Sequence, residues 1–224
     1  MRGVRRRLLI AAAVVVVLVG VAALGRYVWL PSYRPGLRAG ETYGIDVSHH
    51  QGPIDWARVA GDDIGFAYVK ATEGGDHVDA RFAENWATAK SAGIRRGAYH
   101  FFTLCTPGDA QARNFLATVP ADAELPPAVD LELAGNCAAR PPHATVMTEL
   151  LAFLAAVEAR GVRVLLYVGD DFADHYFRDV NAREQWWPSV LRRPDARWRV
   201  WQASAWARVD GIAGPVDLDV LRSG

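Results

Sequence analysis

The sequence predicts an α/β barrel: one closed sheet of mainly parallel strands wrapped by helices, preceded by a single transmembrane helix. Three observations predict it. From Thr42 onward, short apolar runs alternate with segments of helical periodicity, the pattern of a mainly parallel sheet. No glycine-rich phosphate loop follows any of those runs, since Gly44, Gly74 and Gly75 are too isolated to form one, and this favours a closed barrel over an open doubly wound sheet. Acidic residues recur at the ends of the runs, where a parallel barrel gathers its functional groups.

Residues 1–7 carry four arginines, and residues 8–24 follow as seventeen positions without a charge. At about 1.5 Å per residue that stretch is roughly 25 Å long, the short end of a membrane helix. The expected division is a cytoplasmic basic segment 1–7, a transmembrane signal anchor 8–25, a tether 26–41 and the barrel 42–224. A cleaved secretory signal is the alternative, but the run is long for one and no small-x-small site closes it. Either way the basic flank stays inside and the barrel is periplasmic or extracellular. Half of the 224 residues are hydrophobic and 22% charged, which excludes a disordered chain and a polytopic membrane protein. Lys+Arg and Asp+Glu balance at 25 each, so no nucleic-acid partner is expected.

The strands expected are 43–47, 65–71, 96–102, 127–131, 162–168, 198–202 and 216–221. Each is rich in β-branched or aromatic residues and bounded by turn formers. Helices are expected over 79–92, with Phe82, Trp86 and Ala89 on one face, over 108–119, and over 145–160 with Leu150, Leu151, Leu154 and Val157. The strand ends deliver Asp46, then Lys70 and Glu73, then Tyr99 and His100, then Asp130 and Glu132. Tyr167 and Asp170, Trp201 and Gln202, and finally Asp217 and Asp219 follow.

Asp130 and Glu132 are the most informative pair. Alternate residues of a strand share a face, so both carboxylates project to one side while Val129, Leu131 and Leu133 go to the other. Two carboxylates forced together beside an apolar sheet cannot both ionise cheaply, so one keeps its proton near neutral pH. Glycosidic cleavage uses such a pair: one group protonates the leaving oxygen and the other stabilises charge at the anomeric carbon. A solvated strand end is the plainer reading of D-L-E alone.

Cys105 and Cys137 are the sole cysteines. Export makes a single disulfide between them the expectation, with two unrelated thiols as the alternative. In the chain-entropy model such a bond stabilises by roughly 3–4 kcal/mol. Neither has a second Cys or His at ligand spacing, so no metal and no cofactor is expected. Adjacent His49 and His50 should point apart, His100 should be a hydrogen-bonded rim residue, and Lys70 should pair with Glu73 or Asp46.

These residues resemble the muramidases of glycoside hydrolase family 25. YGIDVSHHQGPIDW (43–56), FAYVKATEG (66–74), RRGAYHFF (95–102), PPAVDLE (126–132), VRVLLYVG (162–169), VWQAS (200–204) and VDLDVL (216–221) match the family's landmarks in order. The resemblance covers Thr42 to the C-terminus. It implies a TIM-like β/α barrel with an irregular, partly antiparallel closure, and hydrolysis with retention of the β-1,4 bond between N-acetylmuramic acid and N-acetylglucosamine in peptidoglycan. By it Glu132 matches the general acid and Asp130 the partner carboxylate, which either attacks or orients the substrate's acetamido oxygen. Asp46 and Asp217 match two further acids. Tyr99, Tyr167, Trp201 and Asp219 are expected at the substrate, and Trp186, Trp187 and Trp206 could line a sugar groove. The partners implied are peptidoglycan glycan strands and, through the N-terminal helix, a membrane, with the protein acting as a monomer. Residues 170–187 match poorly, and no wall-binding repeat follows the barrel. Two other readings remain: a catalytically weak wall-binding barrel, and a hydrolase of another amino sugar polymer such as chitin.

Overall fold

A computed structural model describes residues 2–176, 185–195 and 197–223. Helix α1 (Arg2–Leu24) continues through a π-helical stretch, Gly25–Trp29, into a last turn, α2 (Leu30–Ser32). Its Leu9–Ser32 portion is long and apolar enough to cross a membrane. It therefore runs beyond the sequence-based boundary, because Arg26 alone does not break a helix of strong formers.

Nine strands lie among the described residues: β1 (Glu41–Val47), β2 (Ile64–Glu73), β3 (His77–Val78), β4 (Arg95–Phe101), β5 (Ala128–Leu131), β6 (Leu165–Val168), β7 (Gln185–Pro188), β8 (Val200–Ala207) and β9 (Val216–Arg222). They hydrogen-bond in the order β1-β9-β8-β7-β6-β5-β4-β2-β3, and pairing of β1 with β2 closes a ring of eight with β3 outside it. Every neighbour pair in the ring is parallel except those made by β9, which runs against both β8 and β1. The closed α/β sheet and its partly antiparallel closure agree with expectation.

Both faces of the ring are buried, so its strands read as near-continuous apolar runs rather than alternating ones. Along β2, Phe66 and Tyr68 join the barrel interior with Tyr99, Leu165, Trp186 and Val200. Ala67 and Val69 face the other way, into the layer shared with the surrounding helices. Gly97 on β4 is needed there: a Cβ on it would lie 2.3 Å from the Tyr68 ring. The helices outside are α3 (Trp56–Gly61), α4 (Phe82–Ser91), α5 (Gly108–Thr118), α6 (His143–Glu158) and α7 (Asp170–His175). Leu150, Leu154 and Val157 of α6 are buried, whereas Leu151 is 52% exposed and does not share their face. Strand β7 and helices α3 and α7 were not expected, being too short to show a period.

The connection read as a tether lies along the barrel. Pro31 and Pro35 are buried, Arg208 N donates to Pro31 O at 2.9 Å, and Arg34 pairs with Asp62 at 2.6 Å. The Tyr43 hydroxyl donates to Pro35 O. Cys105 and Cys137 are joined, with Cα atoms 6.3 Å apart, and tie the connection after β4 to the one after β5.

Candidate active site

The parallel strands bring their C-terminal ends to one rim, and a cavity of about 370 Å³ opens there, lined by Asp46, Asp130, Glu132 and Asp217 among others. Register explains two of them. Asp46 and Asp217 sit opposite each other on the antiparallel pair β1–β9, so both carboxyls enter from one side. Asp130 is the third residue of the four-residue β5, and Glu132 comes just past its end. Tyr99, Tyr167, Trp186 and Gln202 complete the walls, with His50 and Gln51 from the turn after β1.

The acids perturb one another. Burial raises Asp46 well above the usual carboxylate range, and the charges of Asp217 and Asp219 raise it further. Burial and then Glu132 raise Asp130, against the pull of Lys70. Glu132 is raised by burial and by Asp171, while the neighbouring Tyr167 hydroxyl opposes the shift. Burial lifts Asp217 to about 6. Asp219 is raised well above its ordinary value by burial and by Asp217, with the Trp186 and Asp46 hydrogen bonds pulling it back. The cluster therefore holds its protons to higher pH than free carboxyls do, the direction a carboxyl needs to serve as an acid.

The side chains that hold these groups are specific. Gln202 donates from Nε2 to Asp46 Oδ2 at 3.2 Å, and its Oε1 accepts from the Tyr167 hydroxyl at 3.0 Å. Asp171 accepts the backbone N–H groups of Leu133 at 3.1 Å and Ala134 at 2.9 Å, fixing the turn that follows Glu132. Asn136 donates to Glu132 O at 2.9 Å. Gly169 leaves room for the acid: a Cβ on it would lie 3.0 Å from Glu132 Cγ.

Two expected substrate contacts need correction. Trp201 is 1% exposed and packs with Trp198, Ala203 and Val220 away from the cavity. Its indole N–H donates to Ser189 O at 2.8 Å. Because Gln202 faces inward, strand alternation turns Trp201 outward, and Trp186 from β7 takes the interior place. Asp219 is fully buried and accepts from Trp186 Nε1 at 3.0 Å. It shares a face with Asp217, as expected, but lies one pleat deeper and does not line the cavity.

Lys70 pairs with Glu73 at 2.7 Å, as expected. His100 is not on the rim. It is buried, with Nδ1 2.7 Å from Thr72 and Nε2 3.0 Å from Gln111, and burial lowers its pKa to about 4. The rings of His49 and His50 do not point apart but lie 4.0 Å from each other, because His49–Gln51 form a 3-10 turn. His49 Nδ1 is 2.7 Å from Asp79. Among the described residues, no group of three His, Cys, Asp or Glu is placed to hold a metal ion. Of the residues around Glu132, Asp171 and Gly169 escaped the sequence reading. The lone signal for them was their position just after the strand that bears Tyr167.

The family model "Glycosyl hydrolases family 25" matches residues 45–212. The chain belongs to that family. It is a glycoside hydrolase. The chain is 37% identical over 214 residues to "Uncharacterized protein YegX" of Escherichia coli O6:H1, spanning 87% of this chain and 77% of that protein. It is 34% identical over 192 residues to "Lysozyme M1" of Streptomyces globisporus, spanning 78% and 65%. A family 25 glycosyl hydrolase structure from Bacillus anthracis superposes with a TM-score of 0.75 at 32% identity, covering 86% of this chain and 94% of the other.

Proposed function

We propose that the protein is a lysozyme-type muramidase that hydrolyses the β-1,4 bond between N-acetylmuramic acid and N-acetylglucosamine in peptidoglycan with retention. The observation that carries this is the Asp130 and Glu132 pair in one cavity with Asp46 and Asp217, in a chain similar to a named lysozyme. Protonated Glu132 gives its proton to the glycosidic oxygen as the C–O bond breaks. With the pair's shared proton on Glu132, ionised Asp130 either attacks the anomeric carbon or holds the substrate's acetamido group so that its oxygen attacks. Asp130 Oδ1 is buried and has no hydrogen-bond partner among the described residues, so it is open to either task. The Glu132 carboxylate then takes a proton from water as the water oxygen bonds to the anomeric carbon and the bond to Asp130 or to the acetamido oxygen breaks, which restores both groups. Asp46 and Asp217 keep the site electronegative, and Tyr99 and Tyr167 contact sugar.

Residues 8–25 anchor the chain, 1–7 stay in the cytoplasm, and the 42–224 barrel, of TIM-like type, works outside as a monomer. A zymogram on purified cell walls with Glu132→Gln beside wild type tests the reading. Clearing by the variant should fall by about two to three orders of magnitude, the loss of a general acid, while wall binding persists. Muramic acid should appear at the new reducing ends, and near wild-type clearing by the variant would remove Glu132 from its role. Equal cleavage of chitin would favour a broader amino sugar substrate.

A further inference from the structure

A second and larger cavity, about 560 Å³, lies between the end of the N-terminal helix and the barrel. Arg26 and Tyr27 reach it from the helix, Arg58 from α3, and Trp206 and Arg208 from the end of β8. Three arginines from three separate elements thus line one cleft. Its carboxylates are Asp55 and Asp210, which leaves a net positive charge. Both are engaged: Asp55 accepts from Arg58 N at 3.3 Å at the start of α3, and Asp210 lies 3.6 Å from the Arg58 guanidinium. Neither Arg26 nor Arg208 has a carboxylate partner among the described residues. The remaining wall is apolar, with Pro31, Ile212 and the Trp206 ring.

The chemistry that fits is a phosphodiester with an apolar remainder. Arginine presents a planar fork to phosphate oxygens, two at a time, and is less strongly hydrated than lysine. The position of the cleft says where such a group would come from. Arg26 is the first charge after the apolar run, and Tyr27 and Trp29 beside it are 67% and 55% exposed. Aromatic and basic residues at that point of a helix sit at the lipid headgroup level. The cleft is also held in place, because Pro31 is buried and its carbonyl accepts from Arg208 N.

We propose that this cleft binds the headgroup of an anionic phospholipid, an inference that rests on the helix being an uncleaved anchor. β8 runs parallel to β7, β6 and β5, so Arg208, just past its end, lies on the same rim as Asp130. A lipid held there fixes the rim of the candidate active site toward the bilayer rather than leaving the barrel to tumble on a leash.

Native mass spectrometry of the full-length protein in detergent micelles tests this, with phosphatidylglycerol and phosphatidylcholine offered together. One phosphatidylglycerol should be retained at least tenfold more tightly than phosphatidylcholine. The Arg58→Gln/Arg208→Gln double variant should lose that preference at least tenfold, while Arg113→Gln, an exposed arginine on α5, keeps it. Wall clearing by the double variant should stay at wild-type level and report an intact fold. Equal retention of the two lipids, or unchanged retention by the double variant, would overturn the proposal. Displacement of the lipid by equimolar inorganic phosphate would make this a phosphate site and overturn the lipid assignment. The anchor is decided separately: a chain released from membranes by carbonate has lost it, whereas the micelle measurement still reads the cleft.

Discussion

The Tyr167 hydroxyl donates to the amide oxygen of Gln202 at 3.0 Å, yet it also reaches Glu132. A phenol has one proton to give. While Gln202 holds it, the Glu132 carboxylate goes without the phenol's hydrogen bond, and the acid form is favoured. The same amide donates to Asp46, so its orientation is set from both ends.

Gln202→Leu should therefore release Tyr167 to donate to Glu132. A hydrogen bond to the carboxylate favours its ionised form, so the pKa of Glu132 in the variant falls. The alkaline limb of the kcat profile should move to lower pH, with activity best preserved in acid. At neutral pH the loss should be about ten- to a hundredfold. A pH-rate profile decides it: an unmoved alkaline limb, or one displaced upward, would show that Gln202 does not govern the tyrosine.

The acid cluster also sets how stability depends on pH. Asp217 has an unfolded value of 3.8 and is lifted to about 6 in the fold. Between those values the native state binds more protons than the unfolded chain, so stability is present in acid and falls as pH rises through the window. A shift of this size is on the order of 3 kcal/mol. Burial raises Asp46, Asp130 and Asp219 in the same direction. Asp79, held low by hydrogen bonds from His49 and Arg81, acts oppositely and is lost only below about pH 4. Maximum stability should thus lie near pH 4, where Asp79 is still ionised and the raised carboxyls still hold their protons, and Asp217→Asn should flatten the decline between pH 4 and 7. Denaturation midpoints measured across that range check it, and an unaltered slope in the variant would contradict it.

The parts of this site that were legible in the sequence are those where chemistry interrupts an apolar run. Asp46, Asp130 and Asp217 stand inside strands that otherwise want to be buried, and a charge there needs a reason. Which aromatic faces the cavity was less legible. Both faces of β8 are buried, so hydrophobicity cannot tell Trp201 from an inward residue. Only the parity of Gln202, itself polar, marks the inner side. β7 compounds the problem, since QWWP is four residues long and places one tryptophan on each face. Asp219 shows a different limit: period two assigns a face but not a depth. The His49 and His50 pair failed through local turn chemistry. Gln51 accepts from Ser48 N at 2.8 Å, which curls the chain into a 3-10 turn where a strand's alternation no longer applies.

Gly169 offers the sharpest separation of positioning from stability. Its backbone lies at φ −62° and ψ 149°, a conformation alanine adopts freely. Gly169→Ala should leave the melting temperature unchanged or raise it slightly, because the unfolded chain loses freedom while the fold suffers no backbone strain. The new methyl, however, would fall 3.0 Å from Glu132 Cγ and 3.2 Å from its Oε1, with Asp171 Oδ1 also close at 3.1 Å. Either the acid or the strand end must give by a few tenths of an ångström. The acid is the softer of the two, since β6 and β5 are pinned by Gly169 N donating to Leu131 O at 2.9 Å. Displacing a reacting group on that scale costs about tenfold in kcat or more. Wall binding should persist, since the methyl faces Glu132. Turnover measured beside thermal melting separates the outcomes. Full activity would mean that Glu132 is not held in the pose described, and a lowered melting temperature would mean that the strand end, not the acid, had moved.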